Sequence, residues 1–175
     1  MGKVELQPSL KGDLIELRPI REEDFDELFE CAADPKIWEQ HPQKDRYKLD
    51  VFEKFFQGAI DSKGGLVIID CVTKKIIGSS RYYNWDAATK HITIGYTFLR
   101  REYWGGKFNR ELKTLMITHA FQFADEVFFE IGVNNLRSRK AIEKIGAELA
   151  GSAELDQKPH VVYKIDPRHF RQALN

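Results

Sequence analysis

The feature that most constrains the fold is a strand–helix–strand pattern between residues 91 and 131. Apolar periodicity predicts a strand over 91–99, an amphipathic helix over about 110–124 and a second strand over 127–131. Two strands joined through a helix are predicted to lie parallel, with a right-handed crossover. The chain is therefore predicted to build a sheet with at least one helix packed against it.

The remaining elements extend this unit into a mixed α/β layer around one sheet. The chain has 175 residues, a length typical of one domain, so residues 1–175 are treated as a single domain. Gly146 is placed where the last helix should end, since glycine is common just past a helix C-terminus. Further strands are predicted over 14–19, 66–69, 76–85 and 161–165, and further helices over 21–33, 51–60 and 136–145, about four helices in all.

Composition narrows the class of protein. The 27 Lys and Arg residues balance 27 Asp and Glu residues, so the basic excess of a general nucleic-acid binder is missing, and a strongly charged partner is disfavoured. Cys31 and Cys71 are too few for a disulfide framework, and the five histidines show no metal-ligand spacing, so no metal is expected. No apolar run reaches the roughly 20 residues of a membrane span. These features predict a soluble, cytoplasmic protein that does not bind membranes.

A loop with two glycines joins strand 91–99 to the helix that follows it. Gly105 and Gly106 let the backbone approach a ligand closely, and the unpaired amides of a helix start form an anion site. Lys107, Arg110 and Lys113 add positive charge. The pattern favours a phosphate-bearing ligand such as a pyrophosphate. A tight turn with a solvated basic rim is the alternative, and the spacing fits neither a P-loop nor a dinucleotide fingerprint.

Six short motifs occur along the chain: Leu14–Pro19 before an acidic helix, Ile77-Gly78-Ser79, Ile94-Gly95-Tyr96, Tyr103-Trp104-Gly105, Asn135-x-x-Ser138 and Glu143–Ala147. Taken in order, these motifs resemble the GNAT superfamily of N-acetyltransferases, in the Rim-type branch that acts on ribosomal-protein N-termini. The resemblance covers nearly the whole chain and implies a twisted, mixed but mostly antiparallel sheet. It also implies acetyl-CoA as donor, a primary amine (a protein N-terminus or a small molecule) as acceptor, direct attack in a ternary complex, and a monomer or homodimer.

The resemblance places the family's pyrophosphate loop on Trp104–Asn109, with Lys107 and Asn109 at two positions that are normally small. Lys107 could hinder the close approach of CoA or contact a phosphate, and Asn109 could cap the helix. Strands 91–99 and 127–131 are expected to splay near Thr97–Leu99, so that main-chain groups there bind the pantetheine arm. The acetyl-CoA residues implied are Phe98, Leu99, Trp104, Gly105, Gly106, Lys107, Phe108, Asn109, Arg110, Asn135 and Ser138.

The catalytic groups implied by the resemblance are incomplete. Where many family members have a glutamate this chain has Thr93, so His91 on the same strand face is a candidate base; the alternative is an exposed strand-end histidine. Where many have a tyrosine the chain has Ile142, which leaves Ser138 to bond the sulfur and pass on a proton. Asn135 would cap the last helix and bond the CoA arm.

An acceptor site is predicted from Trp38, His41, Tyr82 and Tyr83, because aromatic side chains with a few polar groups suit a peptide N-terminus or a small amine. Simple core packing is the alternative for these residues. Two other classes of protein also remain open. One is a non-catalytic acyl-CoA sensor, and the other is an interaction domain that has lost the cofactor.

Overall fold

The computed structural model describes the backbone of residues 2–174 and the side chains of residues 2–170. In this part of the chain eight strands form one sheet in the order β1-β2-β3-β4-β5-β6-β8-β7. The strands are β1 (Leu10–Lys11), β2 (Ile15–Pro19), β3 (Gly65–Asp70), β4 (Ile76–Asp86), β5 (His91–Leu99), β6 (Glu126–Gly132), β7 (Glu148–Leu155) and β8 (Lys158–Ile165). The helices are α1 (Phe25–Ala32), α2 (Leu49–Ser62), α3 (Lys107–Ala120), α4 (Leu136–Lys144) and α5 (Pro167–Leu174).

The sheet separates two apolar layers. One layer packs α3, α4 and α5 against the sheet through buried side chains that include Leu112, Ile142 and Phe170. The other packs α1 and α2 through residues that include Leu28 and Phe52. We call the two sides of the sheet the α3 face and the α2 face. Because side chains alternate along a strand, each central strand contributes to both layers.

β5 and β6 are the parallel pair that the sequence predicts, and all other neighbouring strands run antiparallel. They pair over only three positions, from His91 opposite Glu126 to Thr93 opposite Phe128. The separation therefore begins at Ile94, earlier than the Thr97–Leu99 region expected. Beyond it two strand edges face each other without a ladder of hydrogen bonds. This gap is the feature of the fold that positions the site.

A β-bulge changes the direction of side chains on β5. Between the pairs Arg81–Gly95 and Ser79–Phe98, two residues of β5 oppose one residue of β4. Tyr96 adopts a φ of 54° there. Its ring contacts Phe55 on the α2 face, whereas the Thr97 hydroxyl meets α3. The bulge thus places a tyrosine and a threonine on opposite faces of the gap, as bulges near functional sites commonly do.

Three elements escaped the sequence prediction: β1, β7 and α5, which brings the helices to five within residues 2–174. β7 is mostly exposed on the sheet edge, so it carries no apolar alternation that a sequence pattern could show. It forms because it pairs along its length with β8. The connecting residues Asp156 and Gln157 both have positive φ, the conformation of a tight two-residue hairpin turn.

Cys31 is buried and Cys71 half-buried, and both are free thiols. Within residues 2–174 no helix is both long and apolar enough to span a bilayer. The same residues contain no group of three or more His, Cys, Asp or Glu side chains placed to hold a metal ion.

Candidate active site

A cavity of about 680 Å³ fills the gap where β5 and β6 separate. Its walls come from the open edges of both strands, the start of α3, one side of α4 and the segment after α1. Most residues predicted for the site lie in these walls. They are Trp38, His41, Phe98, Leu99, Trp104, Gly105, Gly106, Lys107, Asn109, Arg110, Asn135 and Ser138.

Four predicted residues lie outside these walls. Tyr82 points to the α3 face, where its hydroxyl donates to the Met116 carbonyl at 2.6 Å, because alternation along β4 turns it away from its neighbour Tyr83. Tyr83 is on the α2 face and packs on Tyr96, a residue that does line the cavity. Phe108 packs instead against Tyr103, with ring centroids 4.8 Å apart.

His91, the predicted base, is also outside the cavity. It begins β5 at the end where the two strands are still paired. Its Nδ1 lies 2.7 Å from the Thr89 hydroxyl, and its ring packs on Phe128. The structure therefore gives His91 the surroundings of a strand-end histidine.

The start of α3 differs from the sequence prediction in a way that favours anion binding. The helix begins at Lys107, not near residue 110, and Gly106 occupies the N-cap position proposed for Asn109. Gly105 and Gly106 have φ values of 110° and 112°, which side chains with a Cβ rarely adopt. Because the N-cap has no side chain, the first amides of the helix face the cavity mouth without a cap. Lys107 is exposed there and lines the cavity.

The walls are strongly basic although the whole chain is neutral. Among the described residues one carboxylate, that of Glu130, lines the cavity. The guanidinium of Arg137 stacks over the Trp104 ring at 3.7 Å and donates to the Ile37 carbonyl at 3.2 Å, which ties α4 to the segment after α1. Folding thus brings positively charged side chains together at the cavity, although positive and negative charges balance over the whole chain. Six cationic side chains line the cavity: Lys107, Arg110, Lys113, Arg137, Lys140 and Lys144.

Asn135 caps α4. Its buried side-chain carbonyl accepts a hydrogen bond from the Ser138 amide at 3.4 Å, and both residues line the cavity.

We expect Asn135→Ala to lower the free energy of unfolding by about 1 kcal/mol, because the Ser138 amide loses its partner. Asn134→Ala is the matched control at an exposed neighbouring position and should change stability by less than about 0.5 kcal/mol. Urea unfolding of both variants measures the difference. Equal losses at both positions would contradict the capping role.

Sequence reasoning missed Glu130. It stands in an apolar stretch of β6 and reads there as an ordinary strand residue, yet alternation with buried Phe129 puts it on the α2 face. Burial and then the Glu130 charge raise the pKa of Tyr83 above its usual value. Glu130 forms no ion pair with any described residue. Glu130 could have been identified from sequence as an acidic residue of β6 opposite the point where β5 and β6 separate. That point is not visible in the sequence.

Lys113 is the second residue whose surroundings sequence could not show. It is 6% exposed, and its ammonium donates to the Thr97 hydroxyl at 2.9 Å. That hydroxyl lies 2.7 Å from the Ser80 hydroxyl. Burial lowers the pKa of Lys113 to about 7, since no carboxylate of the described residues pairs with it. The cavity therefore has a titrating amine on its α3 face.

The geometry agrees with a comparison with known families. Residues 15–148 match the family model described as an acetyltransferase (GNAT) domain. The chain therefore belongs to the GNAT acetyltransferase family, and it is an acyltransferase. The acyl donor of this family is acetyl-CoA. No sequence among curated proteins matches the chain.

Solved structures share the fold at low sequence identity. A GCN5-related N-acetyltransferase from Brucella melitensis superposes with a TM-score of 0.81 at 17% identity, covering 95% of this chain and 82% of that one. Mycobacterium smegmatis RimJ in complex with CoA-disulfide gives a TM-score of 0.70 at 17% identity, with coverages of 91% and 87%. The ribosomal-protein-S5-alanine acetyltransferase of Vibrio fischeri gives 0.69 at 17%, with coverages of 91% and 97%.

Proposed function

We propose that the protein moves an acetyl group from acetyl-CoA to a primary amine by direct attack in a ternary complex. The observation that carries this proposal is the gap between β5 and β6. It exposes an unpaired strand edge that leads to an uncapped helix N-terminus ringed by cations. An extended ligand arm can pair with such an edge, and phosphates suit such a helix start.

The chain supplies matching groups for each part of the donor. The amides at the start of α3, with Lys107 and Arg110, would hold the pyrophosphate. The main chain around Phe98 and Leu99 would pair with the pantetheine arm. The indole of Trp104 donates to the Leu99 carbonyl at 3.0 Å and so occupies the end of that edge.

The acceptor amine must lose a proton before it can attack, because an α-amine has a pKa near 8 and a lysine amine near 10.4. Glu130 is the carboxylate on the acceptor side, and we assign it the role of base. Glu130 takes one proton from the acceptor ammonium, the neutral nitrogen bonds the acetyl carbon, and the carbon–sulfur bond breaks. The second proton of that nitrogen would pass to the Ser138 hydroxyl at the start of α4 as this hydroxyl gives its own proton to the leaving thiolate, and Glu130 would return its proton to solvent.

The acceptor would enter on the α2 face, where Trp38, His41 and Tyr96 form the wall. The Vibrio fischeri structure is of an enzyme named for a ribosomal-protein alanine. That name supports a protein N-terminus as the acceptor. A small-molecule amine is the second class of acceptor that the proposal includes. The RimJ structure is a complex with CoA-disulfide, and this supports acetyl-CoA as the donor.

Acetyl-CoA at about 100 times its dissociation constant should stabilise the protein by roughly 2.7 kcal/mol. For a domain of this size the melting temperature should rise by about 5–10 °C, whereas ATP, which carries phosphates without a pantetheine arm, should not change it. Acetyl transfer to a panel of amine acceptors follows as the second measurement. A melting shift without transfer to any amine would favour the acyl-CoA sensor, and no shift with acetyl-CoA would contradict the donor site.

A further inference from the structure

Arg46 occupies an aromatic cage beside the acceptor wall. Its guanidinium carbon lies 4.8 Å from the ring centroid of Phe55 and 5.6 Å from those of Trp38 and Tyr96. Burial lowers the pKa of Arg46 to about 10. Among the described residues no carboxylate forms an ion pair with it. A largely buried cation without a counter-ion is costly unless a partner arrives from outside.

Within residues 2–170, His41 is the one side chain at hydrogen-bond distance from the Arg46 guanidinium, and it cannot accept a hydrogen bond from it. The Gln43 amide donates to Nδ1 of His41 at 3.0 Å, so the proton of the neutral ring is on Nε2. Burial, with the nearby Arg46 charge, lowers the pKa of His41 to about 3, which keeps the ring neutral. Nε2 nevertheless lies 3.2 Å from Nη1 of Arg46. Two donors therefore face each other without an acceptor.

A second buried cation increases the positive excess. Arg81 is 7% exposed, and its guanidinium lies 3.8 Å from the Tyr96 ring centroid. One nitrogen donates to the Phe55 carbonyl, but the buried Nε has no partner. The charges of Asp45 and Asp156 also reach Arg46, yet neither forms an ion pair with it. The described acids therefore compensate this cluster only from a distance, without a direct ion pair to Arg46.

The cluster borders the space that the acceptor would use. Trp38, His41 and Tyr96 contact Arg46 and also line the cavity on the α2 face. Building on the function proposed above, we propose that the acceptor is an amine that also carries an anionic oxygen group, which the Arg46 guanidinium and the His41 Nε2–H bind together.

An anionic oxygen would satisfy both opposed donors at once. Carboxylate and phosphate oxygens both match the guanidinium fork, so the chemistry covers amines that carry either group. The acceptor amine would lie toward Glu130, and its acid toward Arg46. Arg81 would add positive charge behind Tyr96 without touching the acceptor.

Matched acceptor pairs test the proposal and separate the two sources of the anion. One pair is a peptide amide that begins with glutamate and the same peptide beginning with glutamine. The other is phosphoethanolamine and ethanolamine. We expect the acidic member of at least one pair to have a kcat/KM higher by about 10- to 100-fold, as one charge-assisted hydrogen-bond pair would give. Ratios below about twofold in both pairs would overturn the proposal.

Arg46→Met keeps the aliphatic bulk in the aromatic cage and removes the charge. This variant should reduce the acid preference, measured as the ratio of kcat/KM between the two members of each pair, to about twofold or less. Arg46→Lys should keep part of the preference, since it retains the charge without the planar fork. Arg168→Met, at an exposed position of α5, is the matched control and should keep the full preference. A preference unchanged in Arg46→Met would also overturn the proposal.

A binding measurement separates this proposal from the proposed function. Glutarate, glutaramide and inorganic phosphate have no amine to acetylate, so their affinities can be measured by calorimetry whether or not transfer occurs. Glutarate or phosphate should show a binding event at least about tenfold tighter than that of glutaramide, and Arg46→Met should remove this event while any anion binding at the start of α3 stays unchanged. If no amine is acetylated, the proposed function fails and this measurement alone decides the anion site. Equal binding of the three probes would overturn it.

Discussion

Glu130→Gln should lower kcat for acetyl transfer by about 100-fold or more at pH 7, because a positioned base contributes roughly 10²- to 10⁴-fold. Glutamine keeps the size and polarity of the side chain but cannot accept the amine proton. The deficit should shrink as the pH rises past the pKa of the acceptor amine, near 8 for an α-amine, since the amine then loses its proton to solvent. Initial rates between pH 6.5 and 9 measure both effects.

Two control variants make this result specific. Glu126→Gln makes the same substitution on the same face of β6 and removes only an ion pair with Lys164, so kcat should change by less than about twofold. His91→Ala tests the base suggested by sequence and should leave the pH profile unchanged. The melting shift with acetyl-CoA should be equal in all three variants. The assignment of Glu130 would be contradicted if Glu130→Gln kept a normal rate and His91→Ala no longer showed the fall in rate at low pH. His91 would then be the base.

Stability should rise with pH because of Lys113. In the folded protein the pKa of the Lys113 amine is about 7. In the unfolded chain the pKa of the same amine is near 10.4. Between these two values the unfolded state binds more protons, so raising the pH favours folding. From pH 7 to pH 9 Lys113 should add about 2 kcal/mol to the free energy of unfolding. Denaturant unfolding at several pH values measures the slope.

Lys113→Met isolates this contribution from other titrating groups, such as the buried thiol of Cys31, whose pKa is raised mainly by burial. The difference in unfolding free energy between wild type and variant should change by about 2 kcal/mol across the interval, and the variant should be at least as stable at pH 7. Parallel pH curves for the two proteins would show that Lys113 is solvated in the folded state.

Much of the site was predictable because it depends on local chain chemistry. Gly105 and Gly106 read as a loop before a helix, and the anion-binding potential of a helix start follows from backbone geometry alone. The parallel β5–β6 pair followed from one strand–helix–strand pattern. The motif resemblance then predicted the GNAT family, which the match over residues 15–148 confirms. Periodicity also predicted most strands, since buried faces repeat at fixed spacing.

Residues whose roles depend on partners distant in sequence were not predictable in this way. Glu130 lines the site only because β6 separates from β5, and Tyr82 lies under α3 because side chains alternate along β4. β7 depends on pairing with β8 and not on an apolar pattern of its own.

The charge of the chain follows from its composition, whereas the electrostatic surroundings of each charged group depend on the tertiary structure. Sequence determined a neutral chain with a glycine-rich loop before a helix, because these properties belong to single residues and their neighbours. Tertiary structure alone decided that Lys113 is buried without a carboxylate and that Arg46 faces the Nε2 of His41. Desolvation and hydrogen bonding depend on which atoms surround a group in space, and contacts between remote segments set that arrangement.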